Sequence, residues 1–139
     1  MSAQRYFNAV KSRLQKLEDG QMDAIQAAAG MFAGAIEADN TIFAFGATHS
    51  FILPMEMCYR TGGLMLVNPI YPHGMDLTVR PMSLTSQIER VPELGRRLIQ
   101  KSHAEEGDVL LIASTSGRNH VVVDMAMEAA EMGVKTVAV

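Results

Sequence analysis

Two short segments of this chain combine hydroxyl side chains with glycine directly after an apolar run. Residues 110–113 are uninterruptedly apolar, and residues 114–117 then read Ser-Thr-Ser-Gly, with Asn119 as a candidate helix N-cap. Residues 41–45 are β-branched, apolar or aromatic, and residues 46–50 then read Gly-Ala-Thr-His-Ser. Hydroxyls beside a helix N-terminus form a cradle for anions, most naturally phosphate. Each segment is a candidate phosphate-binding turn, and the alternative is that its hydroxyls only cap helices.

Apolar runs and turn residues predict the elements that hold these two turns in place. Four strands are predicted over residues 41–45, 64–67, 109–113 and 134–139. Helices are predicted over residues 51–60, 83–91, 92–102 and 120–132. This alternation predicts an α/β fold with a parallel sheet. Ligands of such sheets bind outside the carboxyl ends of the strands, so the two turns face one crevice if their strands are neighbours.

Two amphipathic helices, over residues 3–18 and 21–38, are predicted before the first strand, with a break near Asp19-Gly20. Both could face the domain core, or the first could pack on a second subunit. The chain stops inside an apolar strand, so we expect a fragment truncated after the fourth strand. These helices (residues 1–38) and the sheet region (residues 39–139) together form one predicted domain.

Bulk composition excludes several classes of protein. A net charge of -3 and a pI of about 5.8 argue against a general nucleic-acid partner. No apolar run approaches the roughly 20 residues of a membrane span. The single cysteine, Cys58, cannot form a disulfide within the chain and indicates a reduced, cytoplasmic core or interface residue. We expect no metal site, because the histidines lack ligand-like spacing and there is no cysteine pair. We expect no cofactor, because nucleotide-binding glycine motifs are lacking.

Three side chains are candidates for moving a proton. His49 lies between two hydroxyl residues in a ligand-facing turn, and its ordinary pKa suits proton transfer. Glu56 falls about two turns into the helix that follows, and Glu89 lies in a polar segment suited to line a cleft. The alternatives are a structural histidine and two solvated helix residues.

Five segments together resemble one protein family. They are the G-x-x-H-S turn at residues 46–50, Y-R-x-G-G-L at 59–64, V-N-P at 67–69, S-Q-x-E-R at 86–90 and S-x-S-G at 114–117. The pattern is similar to that of sugar isomerase (SIS) domains, and especially to uncharacterised bacterial SIS proteins that bind phosphosugars. The resemblance covers nearly the whole chain from Asp39 onward.

The resemblance implies a flavodoxin-like, three-layer fold with five parallel strands. It also implies a phosphorylated sugar as ligand and a homodimer or tetramer with sites near subunit interfaces. By position, the phosphate would be held by Ser50, Ser114, Thr115, Ser116 and Asn119. Phosphoheptose isomerases carry a catalytic glutamate ten residues after the serine of the first turn, where this chain has Arg60.

The sequence therefore predicts an SIS domain that binds a sugar phosphate. If the protein is an enzyme, we expect aldose–ketose isomerisation with His49 and either Glu56 or Glu89 as the acid/base pair. The alternative is a non-catalytic sugar-phosphate sensor or regulatory module. A third, structural hypothesis is a dimerisation domain.

Overall fold

Four parallel strands form the centre of this computed structural model, which describes residues 2–139. They are β1 (Ile42–Gly46), β2 (Val67–Pro69), β3 (Val109–Ala113) and β4 (Lys135–Ala138). The strands lie in the order β2-β1-β3-β4, and every pair is parallel. This confirms the predicted α/β class.

Helices cover both faces of the sheet. They are α1 (Ala3–Glu37), α2 (Ile52–Met57), α3 (Ser83–Ile88), α4 (Leu94–Lys101) and α5 (His120–Glu131), with a 3-10 turn at Thr48–Phe51. One apolar cluster joins one sheet face to α4 and α5, and a smaller one joins the other face to the end of α1. Among residues 2–139, none of the helices has the length and apolar character needed to cross a lipid bilayer.

The central strands are buried on both faces, which explains their uninterrupted apolar runs. Every residue of β1 and of β3 is buried. Side chains alternate along a strand, so Phe45 and Ile112 belong to the larger cluster while Ala44 and Leu111 belong to the smaller one.

The predicted break near Asp19-Gly20 is wrong, because α1 continues through both residues. A glycine inside a helix costs only about 1 kcal/mol relative to alanine. The flanking residues include alanines, glutamines and a leucine, which favour helix, and no proline interrupts them. The helical preference of the whole segment therefore outweighs one glycine.

The second strand and three helices differ in their bounds from the prediction. Strand β2 is Val67–Pro69 rather than residues 64–67, and proline is tolerated there because β2 lies at the edge of the sheet. Helix α2 ends at Met57, since Cys58 is extended, and α3 ends at Ile88. Helix α4 begins at Leu94 rather than at Pro92, because Glu93 between them is left-handed with φ of 63°.

Cys58 is a half-buried thiol that packs against the smaller apolar cluster. Its Sγ lies 3.4 Å from the hydroxyl of Tyr71, whose ring packs on Phe51 with centroids 4.5 Å apart. Partial burial and this contact raise the pKa of the Tyr71 phenol above its ordinary value. The contact ties the end of α2 to the segment that follows β2.

Helices α4 and α5 approach each other closely at Gly95. A Cβ built on Gly95 would lie 1.9 Å from the carbonyl oxygen of Val121, so only glycine allows this approach. Beside it, Arg96 donates to the carboxylate of Glu128, which is buried, at 2.5 Å. The crossing is therefore fixed by backbone contact and by a charged hydrogen bond.

Two glycine-to-alanine substitutions should have opposite effects on stability. Gly95→Ala forces the two helices apart and should lower the free energy of unfolding by about 1–3 kcal/mol. Gly20→Ala meets nothing within 4 Å and should raise it by up to about 1 kcal/mol through helix propensity. Urea denaturation followed by circular dichroism measures both, and an equal effect of the two variants would contradict the packing at Gly95.

Candidate functional site

The two hydroxyl turns meet because β1 and β3 are neighbours. In the parallel register, Gly46 at the end of β1 lies beside Ala113 at the end of β3. From these ends the chain turns to β2 on one side and to β4 on the other. The turns thus open at the switch point of the sheet, where open α/β sheets bind ligands.

Close backbone contacts shape the first turn. A Cβ on Gly46 would lie 2.2 Å from the carbonyl oxygen of Ser50, so the 3-10 turn can fold back only over a glycine. Thr48 is left-handed with φ of 53°, and its N–H donates to the carbonyl of Met75 at 2.7 Å. Since Met75 is fully buried, the segment after β2 holds Thr48 in this strained conformation.

Internal hydrogen bonds shape the second turn. The Ser114 hydroxyl accepts from the N–H of Gly117 at 3.0 Å, and the Ser116 hydroxyl accepts from the N–H of Arg118 at 3.4 Å. The backbone N–H of Ser114 donates to the carbonyl of Val139 at 2.9 Å. Each hydroxyl oxygen is thus an acceptor within the turn, which leaves its O–H free to donate to a ligand.

A polar cavity of about 210 Å³ lies between the two turns. It brings together most of the predicted site residues. They are His49, Ser50, Glu89, Ser114, Thr115, Ser116 and Asn119.

Glu89 and Asn119 form one side of this cavity. The Asn119 side-chain amide donates to a carboxylate oxygen of Glu89, which is 8% exposed. The Glu89 carbonyl also accepts from the N–H of Val121 at 3.1 Å, so α3 caps the start of α5 through its backbone. Asn119 occupies the N-cap position as predicted, but its side chain makes no capping bond because it binds Glu89.

Glu56 does not line the polar cavity. Its carboxylate pairs with Arg60, which lies just beyond the end of α2, and Glu56 lines an adjoining, more apolar cavity of about 470 Å³. His49 and Ser50 line both cavities. His49 is exposed, so it can reach a ligand in either of them.

A third cavity adjoins the first turn on the side of α3. It measures about 300 Å³ and is lined by Thr48, His49, Ser83, Thr85 and Ser86, with Leu77 and Met82. The polar segment that contains Ser86 indicated a cleft in the sequence. Nothing in the sequence indicated Met75, because its role depends on a contact between distant parts of the chain. Within residues 2–139, no group of three or more acidic, histidine or cysteine side chains is arranged to hold a metal ion.

Comparison with protein families and curated sequences gives one consistent match. The family model of the SIS domain matches residues 5–139. A UPF0309 protein of Shouchella clausii is 35% identical over 135 residues, which cover 97% of this chain and 55% of that protein. A UPF0309 protein of Streptomyces avermitilis is 37% identical over 138 residues, which cover 99% of this chain and 55% of that protein. The chain spans about half the length of these relatives.

Solved structures share the fold. The phosphoheptose isomerase GmhA of Neisseria gonorrhoeae superposes with a TM-score of 0.71 at 18% identity, covering 98% of this chain and 71% of that chain. A phosphoheptose isomerase of Francisella tularensis gives a TM-score of 0.64 at 18% identity, covering 99% of this chain and 75% of that chain. These matches agree with the parallel sheet and its flanking helices.

Gly46→Ala should disrupt the first turn. The added methyl group meets the Ser50 carbonyl, so we expect a loss of about 1–3 kcal/mol in the free energy of unfolding. Gly117→Ala is the matched control, because Gly117 also has a positive φ, of 60°, but nothing lies within 4 Å of its Cβ position. Urea denaturation should show a clearly smaller loss for the control. Wild-type stability in Gly46→Ala would refute the close approach.

Proposed function

The chain belongs to the SIS-domain family, and we propose that it binds a phosphorylated sugar between the ends of β1 and β3. The observation that carries the proposal is the pairing of Gly46 with Ala113, which opens two hydroxyl turns into one polar cavity. In this proposal the phosphate is held by Ser50, Ser114, Thr115, Ser116 and Asn119.

Phosphate suits this cavity because its walls offer neutral donors beside a helix N-terminus. The turn after β3 leads directly into α5, a helix of 12 residues whose positive end faces the turn. In the part of the chain that the structure describes, the backbone N–H groups of Thr115 and Ser116 have no protein acceptor. Hydroxyl and N–H donors together match the oxygens of a phosphate monoester.

If the protein is an isomerase, Glu89 is better placed than Glu56 to act as the base. Glu89 lines the polar cavity, whereas Glu56 is exposed and paired with Arg60. In aldose–ketose isomerisation, the carboxylate removes the C2 proton of the open-chain aldose and forms an enediolate. The same proton returns to C1, while His49 exchanges a proton between the O1 and O2 oxygens.

A non-catalytic sensor is the second candidate, and two observations favour it. The position of the phosphoheptose isomerase glutamate is taken by Arg60, and the carboxylate of Glu89 already accepts a hydrogen bond from Asn119. A sensor needs only the phosphate cradle and a ligand-dependent change in stability or assembly.

The proposal also includes a cytoplasmic location, no nucleic-acid partner, and a homodimer or tetramer. The free thiol of Cys58 supports the cytoplasmic location. The net charge of -3 supports the expectation of no nucleic-acid partner. The exposed apolar side chains of α1 support the homodimer or tetramer.

A thermal-shift panel of sugar phosphates tests the binding site. At least one phosphosugar should raise the melting temperature of the wild-type protein, because a ligand that binds only the folded state stabilises it. The double variant Ser114→Ala/Ser116→Ala should lose this shift. Ser12→Ala removes an exposed hydroxyl on α1 and should retain it. A folded wild-type protein that no phosphosugar stabilises would refute the binding proposal.

Replacing Glu89 separates the enzyme from the sensor. For any phosphosugar that stabilises the protein and is isomerised, Glu89→Gln should lower kcat by about 10²–10⁴-fold and keep the thermal shift. Glu56→Gln is the control and should change kcat little. Turnover that survives in Glu89→Gln but is lost in Glu56→Gln would assign the base to Glu56. Stabilisation without any turnover in the wild-type protein would favour the sensor.

A further inference from the structure

The polar cavity between the two turns is small for a whole sugar phosphate. It measures about 210 Å³, whereas small-molecule sites in proteins typically measure roughly 300–1,000 Å³. The third cavity, on the side of α3, measures about 300 Å³ and shares Thr48 and His49 with the polar cavity. A ligand whose phosphate occupies the polar cavity can therefore extend past His49 into the third cavity.

Helix α3 carries side chains of both cavities on one face. Ser86 lines the third cavity, and Glu89, three residues later, lines the polar cavity. Residues three apart on a helix are neighbours, with Cβ atoms about 5–6 Å apart. Thr85, four residues before Glu89, also lines the third cavity. A ligand that runs along this face from the phosphate site therefore meets Glu89 first and Ser86 next.

Hydroxyl groups supply most of the polar lining of the third cavity. The Thr85 hydroxyl donates to the carbonyl of Met82 at 2.8 Å, which holds it within α3. Within residues 2–139, the hydroxyls of Ser83 and Ser86 have no hydrogen-bond partner in the protein, and both residues are exposed. Each hydroxyl can donate and accept, so the pair matches the hydroxyl groups of a sugar.

The lining of the third cavity carries no fixed charge. Among the described residues that line it, none is a lysine, an arginine, an aspartate or a glutamate. The buried carboxylate of Glu89 lies one helical turn away from Ser86. A second phosphate or a carboxylate of the ligand would find no cation here and would be repelled by Glu89. The lining therefore favours neutral hydroxyl groups over a second anionic group.

We propose that the third cavity is the subsite for the sugar carbons farthest from the phosphate, which rests on phosphate binding between the two turns. The ligand is then a monophosphate with a neutral polyol chain longer than that of a triose, and neither a bisphosphate nor the phosphate of a sugar acid. The apolar cavity beside Glu56 is the competing path. Beyond the residues of the two turns and Glu56, it offers only apolar side chains such as Ile52 and Leu53.

Phosphates of sugar alcohols test the subsite because they have no carbonyl group and cannot be isomerised. Measured by isothermal titration calorimetry, the Kd of sorbitol 6-phosphate should be about tenfold lower than that of glycerol 3-phosphate, since its additional hydroxyls reach the third cavity. Equal Kd values would overturn the subsite and leave the phosphate site in place. Binding of neither ligand to the folded protein would count against the phosphate site itself, and the subsite would fall with it.

A sugar-acid phosphate tests the charge of the subsite. Gluconate 6-phosphate carries a carboxylate where sorbitol 6-phosphate carries its terminal hydroxymethyl group. It should bind about tenfold more weakly than sorbitol 6-phosphate, because the carboxylate loses its hydration without gaining a cationic partner. Equal or tighter binding of gluconate 6-phosphate would contradict a subsite for neutral hydroxyls.

Substitutions on α3 test which cavity holds the polyol chain. Ser83→Ala/Ser86→Ala should raise the Kd of sorbitol 6-phosphate about tenfold and leave that of glycerol 3-phosphate unchanged. Both residues are exposed and alanine favours helix, so the fold should persist. Gln87→Ala is the matched control, exposed on α3 but outside the cavity lining, and should bind both ligands as the wild type does. If sorbitol 6-phosphate instead keeps its affinity in the double variant and loses it in Ile52→Ala, the chain occupies the apolar cavity and the proposal is wrong.

Discussion

The parallel pairing of β1 with β3 is the contact on which the rest of the structure depends. Five consecutive residues of β1 pair with five of β3, from Ile42 beside Val109 to Gly46 beside Ala113. Both strands are fully buried, so a shift of one residue would exchange the side chains of two different apolar clusters. The register that buries these side chains in their clusters therefore also fixes the positions of the two hydroxyl turns relative to each other.

The site is completed by segments distant in sequence from these turns. The carbonyl of Met75 anchors Thr48, and Glu89 binds both the side chain of Asn119 and the first turn of α5. Glu89, at the end of α3, thus forms one wall of the cavity, whereas the segment after β2 does not line the cavity but holds the first turn in place. Loops held in this way by a rigid core are suited to bind ligands with little rearrangement.

The two faces of the sheet are covered to different extents. Helices α4 and α5 cover one face, whereas the other face packs, within residues 2–139, against α2 and the end of α1. The remaining length of α1 keeps its apolar residues exposed.

Local patterns in the sequence were sufficient for the α/β class, the positions of β1 and β3, and the two hydroxyl turns. Buried parallel strands require uninterrupted apolar runs, and the residues that end them are recognisable one segment at a time. Local patterns failed at Gly20 and at the bounds of β2, where the preference of a longer segment or the position of a strand in the sheet outweighs a single residue. They also did not distinguish Glu56 from Glu89 as the candidate base.

By itself, then, the sequence determined which segments are strands and helices and which turns carry hydroxyls and glycine. The tertiary structure alone decided that β1 and β3 are neighbours, that Glu89 rather than Glu56 lines the polar cavity, and that most of α1 extends beyond the sheet. The physical reason is that propensity and periodicity act over a few residues. Strand order, the approach of Met75 to Thr48 and the covering of a helix face depend on contacts between residues far apart in the chain.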